Sequence, residues 1–484
     1  MVYLLSIELI WSAILKFIPL KFVYFVQVII TFVLFVISFS LVPDVLKNGV
    51  IFEANHYLFL DSLNMMIIVA LLFLVFCISI YSIGYMKKEQ ENGLSDDKVK
   101  SFYMWKNLFV FCMSAVLLSN NFGIVWIAIE GTTLSTTFLI GFYNTKDAIK
   151  ASWQYIIICS FGIALGLFGI VTLYFSTYHI LGEGINSLNW VNIISISKDL
   201  DPSLLKIAFA FFLVGFGTKA GLAPMHSWLP DAHSQSPTPI SALMSGVLLS
   251  SALYVILRLK VVLNGAGLMD FSSNLLLILG MLSIFIAAIA IIGQKDYKRL
   301  LAFSSMEHMG LMAFAFGIGN RLGVFAGLLH LVNHVFAKGL MFSSVGSVLV
   351  NFHTRDIFKI KGLYKSMPIT AVFITLGVLG ITGIPPFNIF VSEFFILTSA
   401  FEAHMYWEIV VVLLFLVMIF GGFIYLFSSM LMGKSDEKKK ESWSMLFPMA
   451  LLLFVMLYLG VTLPNEMLAL LQNSVKILTN GVRI

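Results

Sequence analysis

The chain has 484 residues, 59% of them hydrophobic and only 11% charged, with a formal net charge of +5 and a mean hydropathy of +0.96. Soluble domains carry about 25% charged residues, so this chain cannot cover a water-facing surface, and a string of soluble domains is excluded. Its basic residues lie in short segments between apolar runs, which excludes a nucleic-acid-binding face.

An apolar stretch of about 20 residues crosses the hydrocarbon as a helix. Such stretches are predicted at 2–18, 22–42, 58–83, 104–119, 121–142, 152–177, 204–222, 239–260, 273–293, 300–318, 322–349, 368–400, 407–432 and 444–470. The expected fold is an all-α polytopic bundle of about 14 transmembrane helices. The first stretch carries Glu8 and Lys16 and no basic segment before it, so it does not read as a cleavable signal peptide. Asp61, at the head of the third, reads as a helix cap. Cys77, Cys112 and Cys159 stand singly inside apolar runs without CxxC spacing, which points to small buried hydrophobes and away from thiolate ligation of a metal or cluster.

Every second loop is basic, with Lys87, Lys88, Lys98 and Lys100; Lys146 and Lys150; Lys295, Lys298 and Arg299; Arg355, Lys359, Lys361 and Lys365; and Lys434, Lys438, Lys439 and Lys440. Lys and Arg accumulate on the cytoplasmic side, so both termini are expected outside. Arg258 and Lys260 run against the alternation.

Two spans are interrupted. In FGTKAGLAPMHSWLPDAH, Lys219 precedes a break at Pro224; in LGVLGITGIPPFNIFVSEFFIL, Gly383, Pro385 and Pro386 precede Glu393. Proline removes a backbone donor and clashes with the preceding turn. Irregular backbone at membrane depth persists only inside protein or beside water, and paired interrupted helices mark ion sites in transporters. The breaks fall in the seventh and twelfth spans, which predicts two five-helix repeats. The expected divisions are 1–103 for helices 1–3, 104–260 for the first repeat, 261–432 for the second, and 433–484 for a cytoplasmic loop and helix 14.

Ionisable residues inside these spans are costly and read as functional. Glu130 lies near mid-membrane, either as a structural partner of a buried cation or as a carboxylate that tunes Lys219. His330, His334 and Lys338 follow i, i+4, i+8 spacing on one helix face, near His308. Imidazoles titrate near neutral pH, so this face reads as a polar wire; without an HExxH motif or a third ligand, no metal is expected. Glu307 is expected on another side of its helix, for packing or a partner subunit. His226, Asp231 and His233 follow the first break and read as loop anchors.

These residues carry a resemblance. Through TKAGLAPMHSWLPDAHSQSPTPISALMSG, QKDYKRLLAFSSMEHMG and HTRDIFKIKGLYKSMP, the chain resembles the antiporter-like, proton-translocating subunits of respiratory complex I, membrane-bound hydrogenases and multisubunit cation/proton antiporters. SSMEHMG, LLHLVNHVFAKGLMF and IIICSFGIALGLFG look most like the F-type subunit of hydrogenase-4 in the group 4 hydrogenases, with complex I M- and N-type chains close behind.

The resemblance implies inverted repeats and a hydrophilic axis in which Lys219 and Glu393 hold protons, Glu130 modulates, and His308, His334 and Lys338 connect; His330, on the same helix face by spacing, is expected to join that path. Ser250 and Gln154 stand where the family often has lysine or histidine, which puts the connection between the halves in question. The resemblance also implies no cofactor in this chain, with Fe–S and Ni–Fe centres or flavin in partner subunits. The implied partners are other membrane subunits and a peripheral redox arm, in the plasma membrane of a prokaryote. The alternatives are a multisubunit Na⁺(K⁺)/H⁺ antiporter subunit, a complex I M-type chain, and a passive membrane anchor.

Overall fold

The structure is a computed structural model that describes residues 1–435 and 437–480. The chain opens with α1 (Val2–Ile14) and α2 (Leu20–Ser40). A short antiparallel ribbon follows, β1 (Ile51–Glu53) against β2 (Leu58–Leu60). Then come α3 (Ser62–Glu91), α4 (Asp96–Leu118), α5 (Phe122–Ile140), α6 (Lys146–Leu181), α7 (Pro202–Ala220) and α8 (Thr238–Gly265). The second half holds α9 (Met269–Ile292), α10 (Tyr297–Ile318) and α11 (Arg321–Phe352). It continues with α12 (Pro368–Ile381), α13 (Asn388–Glu402), α14 (Tyr406–Leu431), α15 (Trp443–Val461) and α16 (Asn465–Asn480).

Among the described residues, twelve helices are long and apolar enough to cross a membrane. Two expected spans depart from that form. The first, α1, has 13 residues, about 20 Å at 1.5 Å per residue, which is short of the roughly 30 Å hydrocarbon thickness. The twelfth is divided into α12 and α13, with 14 and 15 residues, around the Gly–Pro break. The last stretch, expected to run to 470, stops at Val461. Pro464 cannot continue a helix, and the chain restarts there as the amphipathic α16.

The middle of α8 is wholly buried, and α10 and α11 are buried over 94% and 83% of their most apolar stretches. In contrast α14 exposes Leu413, Leu414 and Val417, and α6 exposes Ile157, Phe161 and Phe168. Helices that are apolar on every side belong inside or against lipid. Glu307 and His308 on α10 and His330, His334 and Lys338 on α11 are therefore buried inside the bundle.

Asp61 caps α3 as expected, accepting from the Leu63 and Asn64 amides while the Asn64 side chain accepts from the Asp61 amide. The same carboxylate takes two hydrogen bonds of 2.7 Å from Arg258. Arg258 lies inside α8, packed over Phe59, Trp190 and Tyr254, and Lys260 donates to Ser272 and Ser273. Both cations that broke the loop alternation are thus buried helix residues. Removing one partner of a buried ion pair costs about 3–5 kcal/mol. Arg258→Met is expected to lower the unfolding temperature in detergent markedly, and Arg258→Met with Asp61→Asn to lower it less.

Candidate functional site

Lys219 is fully buried in the last turn of α7. The helix ends because Gly221 adopts a left-handed conformation, φ +71°, three residues before Pro224. The backbone groups freed by the break are satisfied locally. The Trp228 indole donates to the Thr218 carbonyl at 2.8 Å, and the Ala223 amide donates to Ser283 on α9 at 2.9 Å. Protein thus replaces the missing helical bonds.

The Lys219 ammonium donates to the Tyr155 hydroxyl on α6 at 2.7 Å and stands 4.7 Å from its ring centroid. The Tyr155 oxygen lies 2.6 Å from the Thr136 hydroxyl on α5, which donates to the Thr132 carbonyl at 2.6 Å. A hydroxyl has one proton to give, so these contacts run in one direction, from lysine to tyrosine to threonine to carbonyl. Glu130, half-buried on α5, accepts instead from Ser160 at 2.7 Å and Thr133 at 3.2 Å. Among the described residues no ion pair joins Lys219 to a carboxylate; the two charges are held by separate hydroxyls. Gln154, one residue before Tyr155, donates to the Ser227 carbonyl of the break loop at 3.2 Å.

In the second half, Lys338 on α11 is fully buried and donates to Ser304 at 2.8 Å and to the Leu301 carbonyl at 3.2 Å, both on α10. His308 Nδ1 on α10 lies 3.0 Å from His330 Nε2 on α11, and His330 Nδ1 lies 3.0 Å from Ser392 Oγ on α13. The His334 ring is 5.4 Å from that of His308, centroid to centroid. His308 therefore stands between His330 and His334, a pairing across helices that spacing along α11 does not show. The Glu393 carboxylate comes within 4.8 Å of the ring nitrogens of His308 and His330. It is seated against Gly383 in the second break, so closely that a Cβ there would overlap Oε2. Asn333 and Asn388 pin the start of α13 to α11 by two hydrogen bonds of 2.7 and 3.0 Å.

Glu307 departs from its expected place. It is buried, with Oε2 3.5 Å from His308 Nε2, so it faces the histidine cluster instead of lying apart from it. Ser250 donates back to the Gly246 carbonyl of its own helix at 3.1 Å. The hydroxyl contact between α8 and α10 is made by Ser245 and Ser305 at 2.6 Å. Ser245 lies in a π-helical stretch, Met244–Leu248, a local widening common at functional positions.

The three polar residues after the first break are not brought together. Asp231 pairs with Arg299, and His233 stacks on Phe342. Two further buried ionisable groups lie near the N-terminus: Glu8 accepts from Ser114 at 3.1 Å, and Lys106 donates to Ser79 at 2.8 Å. The residues missed by sequence reasoning are chiefly Tyr155, Ser245, Ser305 and Ser392. Their signal was hydroxyl groups in apolar helices beside the ionisable positions.

The sequence model of a family described as NADH:quinone oxidoreductase/Mrp antiporter, transmembrane, matches residues 119–420. A second, described as the N-terminus of chain 5 of NADH-ubiquinone oxidoreductase (complex I), matches residues 50–94. The hydrogenase-4 component F homolog of Methylacidiphilum infernorum is 42% identical over 72% of this chain and 73% of its own length. Hydrogenase-4 component B of Escherichia coli is 32% identical over 72% of this chain, and the match spans only about half, 52%, of that relative. A chain of the membrane-bound sulfane sulfur reductase, an archaeal respiratory membrane complex, has the same fold: the TM-score is 0.88 over 99% of this chain and 96% of that one, at 23% identity.

Proposed function

Since the chain belongs to the NADH:quinone oxidoreductase/Mrp antiporter transmembrane family, we propose that it is a proton-translocating membrane subunit of a redox-driven complex of the hydrogenase-4 and complex I kind. The observation that carries this reading is the burial of Lys219 and Lys338 with hydroxyl and carbonyl partners and, among the described residues, no carboxylate bonded to either. A lysine held only by neutral acceptors in low dielectric can lose its proton at modest cost. A structural ion pair would hold it charged.

In this proposal Lys219 and Glu393 are the proton-holding groups, and Glu130 biases Lys219 through the field. His308, His330, His334 and Lys338 pass protons along the second half. Ser250 and Gln154 lie near the junction and beside the first break, and Ser245 with Ser305 offers a hydroxyl contact between the halves. Fourteen spans and two inverted repeats, 104–260 and 261–432, belong to the same reading. It is supported by the like form of the breaks: Gly383 takes φ +70° before Pro385 and Pro386, as Gly221 takes φ +71° before Pro224.

The chain is a multi-pass membrane protein, and its relatives are subunits of multisubunit complexes. We assign it to a prokaryotic plasma membrane with both termini outside, beside other membrane subunits. A peripheral redox arm would supply the driving electron transfer, and its iron–sulfur and nickel–iron or flavin centres would lie in partner chains. The second reading, a Na⁺(K⁺)/H⁺ antiporter subunit, is favoured by the Mrp relationship of the family model.

Vesicles carrying the intact complex separate the two readings. The proton reading expects acidification on addition of an electron donor in sodium-free, potassium-free medium, and none from a salt gradient alone. Acidification driven by a salt gradient without electron transfer would establish the antiporter reading instead.

A further inference from the structure

Three side chains from three helices converge on one point beside the second break. One ring nitrogen each from His308 on α10 and His330 on α11 and a carboxylate oxygen of Glu393 on α13 all lie within 4.8 Å of one another. Two imidazoles and a carboxylate are a donor set suited to zinc, whose bonds of about 2.0–2.2 Å in tetrahedral geometry place ligand atoms about 3.4 Å apart. The two nitrogens are already 3.0 Å apart. The carboxylate makes no hydrogen bond among the described residues, and it is the group that would have to close on the two nitrogens.

The surroundings supply what a ligating histidine needs. Such a histidine donates its outer ring N–H to an oxygen, which fixes the tautomer and orients the ring. The Ser392 hydroxyl gives its own proton to the Ile389 carbonyl at 2.9 Å and accepts from Asn333 at 3.2 Å. Toward His330 Nδ1, 3.0 Å away, it can therefore act as acceptor. That places the His330 proton on Nδ1 and leaves the Nε2 lone pair facing the cluster. His308 Nε2, its outer nitrogen, makes no hydrogen bond among the described residues, and Glu307 Oε2, 3.5 Å away, is the oxygen that would have to close on it. One tautomer change at His308, moving its proton from Nδ1 to Nε2, presents both inner nitrogens as ligands.

We propose that His308, His330 and Glu393 form a binding site for one divalent transition-metal ion of the zinc type, with Ser392 and Glu307 as the groups that orient the two histidines. A bound ion would tie α13 to α10 and α11 across the break. It would occupy the lone pairs assigned above to proton transfer, so that zinc would act as an inhibitor. The binding itself does not depend on the transport reading.

The test is calorimetric titration of Zn²⁺ into the purified, chelator-stripped full chain in detergent, with Co²⁺ absorption reporting ligand geometry. One saturable site per chain is expected, with four-coordinate Co²⁺ spectra. Glu393→Gln and His330→Gln should each weaken binding at least tenfold, and Ser392→Ala by roughly 10–100-fold. His404→Gln, on an exposed loop histidine, should leave it unchanged. If His330→Gln fails to fold, Glu393→Gln, which keeps the side-chain shape, carries the comparison. Absence of saturable binding, or equal affinity in wild type, Glu393→Gln and Ser392→Ala, would overturn the proposal.

Discussion

Lys219→Met is expected to lower proton translocation on the order of 10²-fold, the usual contribution of one positioned proton-transfer group, while electron transfer to an artificial acceptor continues. Methionine keeps most of the side-chain length and removes the titrating nitrogen. The buried pocket tolerates it because, among the described residues, Lys219 has no carboxylate partner to strand: it meets the Tyr155 hydroxyl and the face of the Tyr155 ring. Tyr155→Phe keeps that ring and deletes the hydroxyl that links Lys219 to Thr136. It should give a smaller loss, roughly tenfold, about 1.4 kcal/mol and close to one hydrogen bond. Proton uptake in vesicles, normalised to assembled complex, checks both. A loss in Tyr155→Phe equal to that in Lys219→Met would mean that the tyrosine itself carries the proton.

Gly383→Ala is expected to impair transport about tenfold or more through two separate faults. The left-handed backbone at φ +70° costs an L-residue roughly 1–2 kcal/mol. The new methyl also overlaps Glu393 Oε2, so the carboxylate must shift from its seat against the break. Gly421→Ala is the control, because a Cβ there meets nothing within 4 Å and alanine is about 1 kcal/mol better in a helix than glycine. It should be neutral or slightly stabilising. If Gly383→Ala transports like wild type, the seat of Glu393 in the break does not matter to function.

The helical plan and both breaks were legible because apolar length and Gly–Pro punctuation are local signals. The Asp61 cap was legible for the same reason. Its bond to Arg258 was not, since the two lie far apart in sequence and Arg258 stood out only as an exception to the alternation of basic loops. Within the site, the charged and imidazole residues stood out against an apolar background. Tyr155 did not, because a tyrosine in such a helix reads as core until its hydroxyl is seen to meet a lysine. Glu307 was placed on another side of α10 because neighbours in a helix point about 100° apart; its side chain nevertheless reaches back to His308 Nε2. The i, i+4 spacing paired His330 with His334, whereas packing of α10 on α11 pairs it with His308. Such contacts are set by tertiary packing, on which periodicity is silent.

We propose one connected proton axis from Lys219 to Glu393. Infrared difference spectroscopy on the assembled complex, energised minus resting, tests it by following the Glu393 carboxyl band, identified by its disappearance in Glu393→Gln. A protonation change is expected in wild type and its loss in Lys219→Met, because that substitution would cut the proposed axis at its other end. A Glu393 band that persists unchanged in Lys219→Met would contradict it and show that the two halves move protons independently.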